Sequence, residues 1–416
     1  MTVTRADLTR TFARIGLLSF GGPAAQIALM HRVLVDERKW LTEKEYLSAL
    51  SFCMLLPGPE AMQLATWAGW RLHGTVGGLI AGGLFVLPGA LVVLALSMAY
   101  AAWGDLPLMQ ALFLGVQAAV IAIVIEALIR VARRALRGRA AYVIALLAFL
   151  GLFVLNLPFP AIILAAAIWG LLTARGNRAA LPAGTAMTAP RTVQTVVFWL
   201  AVWLVPLALL WVKGGILFEI GWFFSKLAVL TFGGAYAVLA WMTQDVVAVQ
   251  GWLTTPQMMA GLGLAETTPG PLILVNAFVG FMAGHGAAGW AMGLAAAGVT
   301  LWMTFVPCFL WIFAAAPYLA RITADPRLAG ALTAIMAAVV GVIANLSLWF
   351  ALHLLFGSVT QRRLGPLHLF IPDPSTLNLT AVGLAGVSAL LLLWLHRPLW
   401  QVLAASALLS VAISAA

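Results

Sequence analysis

The chain has 416 residues, of which 63% are apolar and 9% are charged, whereas a soluble domain is about 45–50% apolar and about 25% charged. This composition excludes an ordinary soluble fold. The formal net charge is +10, but the basic residues lie in short clusters between apolar runs, which is typical of cytoplasmic loops and not of a nucleic-acid-binding domain. We therefore predict an all-α, multi-pass protein of the cytoplasmic (inner) membrane, in contact with the lipid bilayer and without a nucleic acid partner.

Apolar stretches along the chain predict the membrane helices, because a hydrocarbon core about 30 Å thick is crossed by about 20 apolar residues. These stretches cover residues 75–103, 108–129, 141–156, 159–174, 193–212, 287–319, 328–356, 376–395 and 397–414. Residues 175–191 are predicted to form a linker. Segments 12–30 and 47–70 are compatible both with full spans and with re-entrant segments, and the sequence leaves both alternatives open.

An internal repeat is the strongest feature of the sequence. Three tripeptides occur twice at the same displacement of 212 positions: Phe20-Gly21-Gly22 with Phe232-Gly233-Gly234, Trp40-Leu41-Thr42 with Trp252-Leu253-Thr254, and Pro57-Gly58-Pro59 with Pro269-Gly270-Pro271. Gly and Pro are common in membrane helices, which explains single matches but not three matches in one register. The sequence therefore predicts two homologous halves.

The charges of the loops predict that the two halves are inverted relative to each other. The loop at 104–107 carries Asp105 and no basic residue, whereas its counterpart at 320–327 carries Arg321 and Arg327. Because basic loops favour the cytoplasmic side, the second half is expected to be upside down, as in the inverted repeats of many transporters.

The predicted domain organisation follows from the repeat. Residues 1–192 form the first repeat, residues 193–212 a connecting transmembrane helix, and residues 213–416 the second repeat. Arg362 and Arg363 fall on the outer side in this topology, against the general bias of basic loops.

Two segments interrupt the helical pattern in the first half, Phe20–Pro23 and Leu56–Glu60, and both recur in the second. Interrupted backbone at membrane depth is tolerated where it is buried in protein or lines a cavity. Helices that start after Pro59 and Pro271 would direct N–H groups and the positive end of the helix dipole toward the middle of the bundle, where an anion can bind. The simpler alternative is that Pro-Gly-Pro only kinks a helix or turns a surface loop.

The candidate substrate-binding residues combine these breaks with nearby polar side chains, because amides, hydroxyls and guanidinium groups donate to oxyanions. They are Gly21, Gly22, Pro23, Gln26, Pro57, Gly58, Pro59, Gln63, Arg71, Gly233, Gly234, Thr268, Pro269, Gly270, Pro271 and Asn276. For Arg71, a simple anchoring role at the end of a span is the alternative.

Four charged residues beside the breaks are candidates for charge or proton coupling: Arg14, Glu60, Lys226 and Glu266. Glu266 lies just before the second Pro-Gly-Pro, and apolar surroundings favour the protonated form of a carboxylic acid. A surface glutamate is the alternative. Glu126 lies within an apolar span, one turn before Arg130, with which it is able to pair.

The doubled motif set, together with the Gly69–Gly74 stretch and Pro88, resembles the chromate ion transporter family in its long two-domain form. This resemblance implies chromate efflux that confers resistance, driven by the membrane potential or a proton gradient, with sulfate as a competitor. The second copy departs from the pattern at Ala235, which replaces the proline, and at Phe281-Met282, where the arginine is missing.

We therefore predict a secondary transporter that exports chromate, a tetrahedral oxyanion, and is not an enzyme. No Walker-type loop and no metal-ligand spacing occur in the sequence, so neither a cofactor nor a metal is expected. A sulfate or other oxyanion transporter is the alternative within this class, and a membrane-embedded lipid-phosphate enzyme using Arg71 and His73 is the alternative from another class. A homodimer is left open.

Overall fold

The computed structural model describes residues 3–20, 22–174, 189–232, 235–365 and 367–415. The helices of the first half are α1 (Arg5–Leu18), α2 (Gly22–His31), α3 (Glu43–Cys53), α4 (Glu60–Trp103), α5 (Pro107–Ala135), α6 (Arg139–Phe153), α7 (Phe159–Thr173) and α8 (Ala189–Lys213). The helices of the second half are α9 (Ile216–Leu230), α10 (Ala235–Gln244), α11 (Thr255–Thr267), α12 (Val275–Ala315), α13 (Leu319–Thr323), α14 (Pro326–Leu355), α15 (Leu379–Ala389) and α16 (Leu399–Ala415).

Among the described residues, five helical segments are long and apolar enough to cross a membrane; they include α4, α5, most of α8, α12 and α14. Shorter apolar helices include α6, α7, α15 and α16. The predicted class, a polytopic helical membrane protein, is confirmed. The predicted linker at 175–191 falls mostly outside the described residues.

A β-hairpin interrupts the helical series and was not predicted from the sequence. Strand β1 (Val359–Leu364) pairs antiparallel with β2 (Leu367–Pro372). Gly365 follows the first strand with φ +62°, a left-handed conformation that glycine adopts without steric cost. The hairpin lies between two predicted membrane spans and replaces neither of them, so the fold remains mainly helical.

Helices α1 and α9 end in the same local structure, at residues 212 positions apart, the displacement of the repeated tripeptides. The Ser19 hydroxyl donates to the Ile15 carbonyl oxygen at 2.6 Å, and the Thr231 hydroxyl donates to the Leu227 carbonyl oxygen at 2.7 Å. Both helices end one residue before these hydroxyl groups. A hydroxyl that bonds back to its own helix satisfies one of the last carbonyl groups.

A second equivalent pair lies at the Trp-Leu-Thr tripeptides. Thr42 and Glu45 form a reciprocal capping box at the start of α3. At α11, the Thr254 N–H donates to Gln257 Oε1 at 2.8 Å, and the Gln257 N–H donates to the Thr254 hydroxyl at 3.4 Å. This is the sequence pattern S/T-x-x-E/Q that starts helices. The repeated tripeptides therefore correspond to repeated local structure.

Helix α4 is a hairpin of two helical arms. His73 and Gly74 have non-helical backbone angles, and Gly69 on the first arm packs backbone to backbone against Gly77 on the second. The second arm corresponds to the predicted span at 75–103.

Helix α12 has the same construction. Its non-helical residues are Ala288 and Gly289, and Gly284 lies against the Met292 backbone. Gly289 follows Gly74 by 215 positions, three more than the tripeptide displacement, and the one-turn 3₁₀ helix Leu272–Leu274 accounts for the three additional residues.

The chain forms two compact units, each with segments from both halves. The first unit comprises Met1–Met98, Arg175–Ala235 and Thr268–Ala329, and the second comprises Ala99–Ala174, Tyr236–Thr267 and Gly330–Ala416. Both Pro-Gly-Pro segments belong to the first unit. In the second unit, Ala119, Ile123, Leu392 and Val402 form part of a buried core that joins α5 to α16.

We expect Gly89→Ala to destabilise the protein. A Cβ atom at Gly89 would clash with the Pro269 carbonyl oxygen and lie 2.6 Å from a Leu274 methyl group, and overpacking of this kind costs about 1–3 kcal/mol. The control is Gly83→Ala in the same helix, where an added Cβ meets nothing within 4 Å and alanine gains about 0.5–1 kcal/mol over glycine. Thermal unfolding in detergent measures both changes, and equal midpoints for the two variants would contradict the close approach.

Candidate functional site

The two Pro-Gly-Pro turns are hydrogen-bonded to the helix breaks of the opposite halves. The Gly58 N–H donates to the Thr231 carbonyl oxygen at 2.7 Å, and the Gly270 N–H donates to the Ser19 carbonyl oxygen at 2.8 Å. Gly58 has φ +124° and Gly270 has φ +94°, a region that favours glycine. We call these four residues the break cluster. All four are buried, so these turns are not surface loops.

Gln26 reinforces one side of the break cluster. Its Nε2 donates to the Gly270 carbonyl oxygen at 2.6 Å and also approaches the Ser19 carbonyl oxygen at 3.4 Å. Gln26 is 1% exposed. One side chain of the first half therefore holds the Pro-Gly-Pro turn of the second half to the end of α1.

Gln63 and Asn276 are the other buried amides of the candidate site. Gln63 Nε2 donates to the Pro57 carbonyl oxygen at 2.6 Å, and Asn276 Nδ2 donates to the Thr304 hydroxyl at 3.2 Å. A methyl group at Gly58 would lie 2.7 Å from Gln63 Nε2 and 2.9 Å from Cys308 Sγ. The first Pro-Gly-Pro turn is thus closely packed as well as hydrogen-bonded.

The N–H donors of the break cluster already have partners, whereas the oxygen atoms of the buried side-chain amides do not. Gly58 and Gly270 give their N–H groups to backbone carbonyls, whereas Gln26 Oε1, Gln63 Oε1 and Asn276 Oδ1 have no partner among the described protein atoms. An oxyanion can replace the carbonyl acceptors of these N–H groups, and a hydroxyl-bearing ligand can donate to the amide oxygens.

The helices that follow the Pro-Gly-Pro turns differ. Helix α4 starts at Glu60, directly after Pro59. After Pro271, the 3₁₀ helix Leu272–Leu274 comes first and α12 starts at Val275. Short 3₁₀ turns are common at helix N-termini. A helix therefore starts directly after the first Pro-Gly-Pro segment, as predicted, whereas a 3₁₀ turn intervenes after the second.

The remaining predicted binding residues of the helix breaks in both halves are placed as follows. Gly22 starts α2 with φ +76°, and Pro23 lies in the first turn of this helix. Proline is favoured there because the backbone N–H it lacks would have no acceptor within the helix. Thr268 is buried. Gly21, Gly233 and Gly234 lie outside the described residues.

Arg71 lies on an exposed surface and has an acidic partner. Its Nη2 is 3.2 Å from Glu45 Oε1, and the two side chains are 54% and 37% exposed. Glu45 also accepts hydrogen bonds from the Thr42 N–H and hydroxyl. The Thr42 N–H, its hydroxyl and the Arg71 charge together hold the pKa of Glu45 below its ordinary value. The guanidinium charge of Arg71 is therefore compensated in this structure.

The other charged candidates have different surroundings. Arg14 is exposed and Glu60 is half-buried. Lys226 Nζ lies 5.8 Å from the centre of the Trp222 ring, which suits a cation–π contact. Each of these three residues remains a predicted coupling residue.

Glu266 is buried in the second unit and is 7% exposed, so the alternative of a surface glutamate is wrong. The Tyr236 hydroxyl donates to Glu266 Oε1 at 2.6 Å. Tyr236 was not predicted, because it has no aromatic counterpart at the repeat displacement. In the same unit, Glu126 forms an ion pair with Arg130, as their spacing of one helical turn predicted.

The Glu45 carboxylate predicts an acid-dependent stability. Because its folded-state pKa is lowered, it stabilises the protein above the unfolded-state pKa of about 4.3, and this contribution is lost as the pH falls through the folded-state value. Glu45→Gln keeps a capping side chain, as Gln257 does in the second copy. We expect a loss of at most about 1 kcal/mol at pH 7 and a flatter acid limb when the unfolding midpoint is measured against pH.

The control for this prediction is Arg71→Gln, which removes the ion pair and leaves the capping carboxylate in place. It should retain most of the acid limb, because the Thr42 N–H is the largest cause of the lowered pKa. An acid limb that is unchanged in Glu45→Gln would contradict the assignment.

Comparison with known proteins identifies the family. The family model described as Chromate transporter matches residues 6–171 and 218–411. The chain is 35% identical over 350 residues to a chromate transport protein of Pseudomonas aeruginosa, covering 81% of this chain and 79% of the relative. It is 31% identical over 349 residues to a chromate transport protein of Cupriavidus metallidurans, covering 82% and 81%.

A probable chromate transport protein of Synechococcus elongatus is 30% identical over 356 residues, with 82% of each chain covered. No solved structure matches the chain. The family model matches each half of the chain separately, in agreement with the duplicated breaks and turns. The chain therefore belongs to the chromate transporter family, in its long form with two matching halves.

Proposed function

We propose that this protein is a secondary transporter that carries chromate out of the cell across the cytoplasmic membrane and thereby confers chromate resistance. Family membership supports chromate as the transported oxyanion. The relatives are named as transport proteins, which supports transport and not catalysis. The structural observation that carries the proposal is the reciprocal bonding of Gly58 to Thr231 and of Gly270 to Ser19.

The proposed substrate site is the break cluster with Gln26 and Gln63. When chromate enters, the Gly58 and Gly270 N–H groups exchange their carbonyl acceptors for anion oxygens. A neutral internal hydrogen bond contributes about 0.5–1.5 kcal/mol, whereas a bond to a charged group contributes about 1.5–3 kcal/mol. Each N–H group therefore gains by the exchange, which separates the two halves at the point where they are joined and requires the released Ser19 and Thr231 carbonyl groups to be hydrated.

The repeats are proposed to be the moving parts. Residues 1–192 and 213–416 are the two repeats, inverted relative to each other and joined by the helix at 193–212. The matching ends of α1 and α9 and the matching starts of α3 and α11 support the repeats. Alternating access in transporters of this type is a movement around a site located between inverted repeats.

Glu266 is proposed to couple proton movement to transport. It is a buried carboxyl group with a tyrosine hydroxyl donor at 2.6 Å, and ionisable residues inside membrane proteins mark ion and proton pathways. Because the sequence lacks a nucleotide-binding loop, the driving force is proposed to be the proton gradient or the membrane potential.

Transport in membrane vesicles tests the function and its direction. Inside-out vesicles from cells that express the protein should accumulate labelled chromate when energised, and an uncoupler should abolish the uptake. Sulfate, a tetrahedral dianion, should compete. Accumulation by right-side-out vesicles alone would show import, and uptake equal to that of empty-vector vesicles would overturn the proposal.

Gln26→Leu tests the site. The change leaves the Gly270 carbonyl without its side-chain donor, which costs about 1–3 kcal/mol for a buried group, and we expect initial uptake rates to fall about tenfold or more, the change that 1.4 kcal/mol produces. Gln110→Leu is the control, because the exposed Gln110 bonds to the Asp105 carbonyl and has no predicted role. Both variants are first compared for yield and monodispersity.

Glu266→Gln tests the coupling. The amide still accepts a hydrogen bond from Tyr236 but cannot bind and release a proton. We expect downhill exchange of chromate to continue, while accumulation driven by an imposed pH gradient is lost. Undiminished pH-driven accumulation would remove Glu266 from the coupling mechanism.

A further inference from the structure

A basic cavity of about 380 Å³ lies in the second unit, between the end of α5 and the segment that precedes α16. Arg130, Arg133 and Arg134 line it from the last turns of α5, together with Glu126. The three arginines follow Glu126 by four, seven and eight positions, so all four side chains project toward one side of the helix. The cavity does not include any residue that we predicted as a substrate ligand.

The charges in the cavity are unevenly compensated. Arg130 is half-buried and paired with Glu126. Arg133 and Arg134 are exposed, and among the described residues neither has an ion-pair partner. The guanidinium group offers planar pairs of N–H donors that match an oxyanion. Two uncompensated guanidinium groups therefore face a cavity in which an anion is the complementary ligand.

The cavity wall opposite the arginines is apolar and packs against the buried core of the second unit. Leu392 and Leu393 lie on the π-helical segment Leu390–Trp394, and Leu392 is part of the buried core with Ala119 and Val402. Segments of π-helix are frequently located at functional sites. His396, which also lines the cavity, has φ +52°, an uncommon conformation for a residue other than glycine.

These features match a phosphate group attached to an apolar body. The volume lies at the lower end of the range for small-molecule sites, about 300–1,000 Å³, and Ile129 extends the apolar surface beside the arginines. Helix α5 is long and apolar enough to cross the membrane, which places its basic last turns near the level of the lipid headgroups. Basic pockets between membrane helices bind anionic headgroups.

We infer that this cavity is a binding site for a tetrahedral oxyanion. Arg133 and Arg134 bind the anionic group, and Ile129, Leu392 and Leu393 contact any apolar part of the same ligand molecule. The anion is supplied as the phosphodiester of an anionic phospholipid or as a free dianion in solution. The inference does not depend on the direction of transport or on the break cluster as the cargo site.

Paired double substitutions test the inference at constant net charge. Arg133→Gln with Arg134→Gln removes the two cavity arginines. Arg137→Gln with Arg139→Gln removes two arginines of the same basic segment that do not line the cavity. Both variants lose the same charge, so a difference between them reports the cavity and not the general surface potential. Arg133→Lys with Arg134→Lys keeps the charge and loses the planar donors.

Two ligands separate the sources of the anion. The purified full-length protein is titrated with sodium sulfate at constant ionic strength, and separately with phosphatidylglycerol in mixed micelles against phosphatidylcholine as reference. Phosphatidylglycerol binding that the cavity variant weakens and the control variant does not identifies the lipid as the source. Sulfate binding with the same dependence identifies a free anion, and either result supports the site. We expect the cavity variant to raise Kd by at least about tenfold, as the loss of two charge-assisted hydrogen bonds implies.

The control variant should change Kd by less than about twofold, because exposed charges outside a site contribute little. The lysine variant should lie between the two. Absence of binding of both ligands to the unmodified protein, or an equal loss in both glutamine variants, would overturn the inference. Failure of chromate transport in vesicles would not affect it, since the readout is binding.

Discussion

The backbone groups released by the helix breaks are the constraint on which the first unit depends. In hydrocarbon, an N–H or carbonyl group without a partner costs several kcal/mol, so irregular backbone must be satisfied within the protein. Here the N–H of each Pro-Gly-Pro glycine is satisfied by a carbonyl at the end of the opposite half's first helix. Two backbone hydrogen bonds therefore satisfy groups at all four helix breaks, and each bond joins segments more than 170 positions apart in the sequence.

This arrangement explains why small hydroxyl residues and glycines occupy these positions. Ser19 and Thr231 use their hydroxyl groups to close their own helices, which leaves their carbonyl groups to the glycines. A side chain at Gly58 would collide with Gln63 and Cys308. Because each half supplies the acceptor for the other, neither half alone satisfies its own breaks, and the two halves of the chain are required to fold together.

The sequence predicted the class of fold and the positions of the breaks, because composition and the Gly- and Pro-containing tripeptides report these features locally. It did not predict which break pairs with which turn, since the Gly270 to Ser19 bond depends on contacts across the chain. The Arg71 to Glu45 pair and the Tyr236 to Glu266 bond were missed for the same reason. The β-hairpin was missed because it is short and lies in a polar interval between helices.

The predicted residues that touch the break cluster are neutral, and this has a consequence for substrate affinity. Gln26 and the two glycines offer dipoles, while the predicted guanidinium ligand, Arg71, has its charge compensated by Glu45. Dipoles act strongly in a medium of low dielectric constant, but they attract a dianion less than a guanidinium group does. A carrier must also release its cargo, and in the proposed site exchangeable N–H groups would bind an oxyanion without the long residence that paired charges would impose.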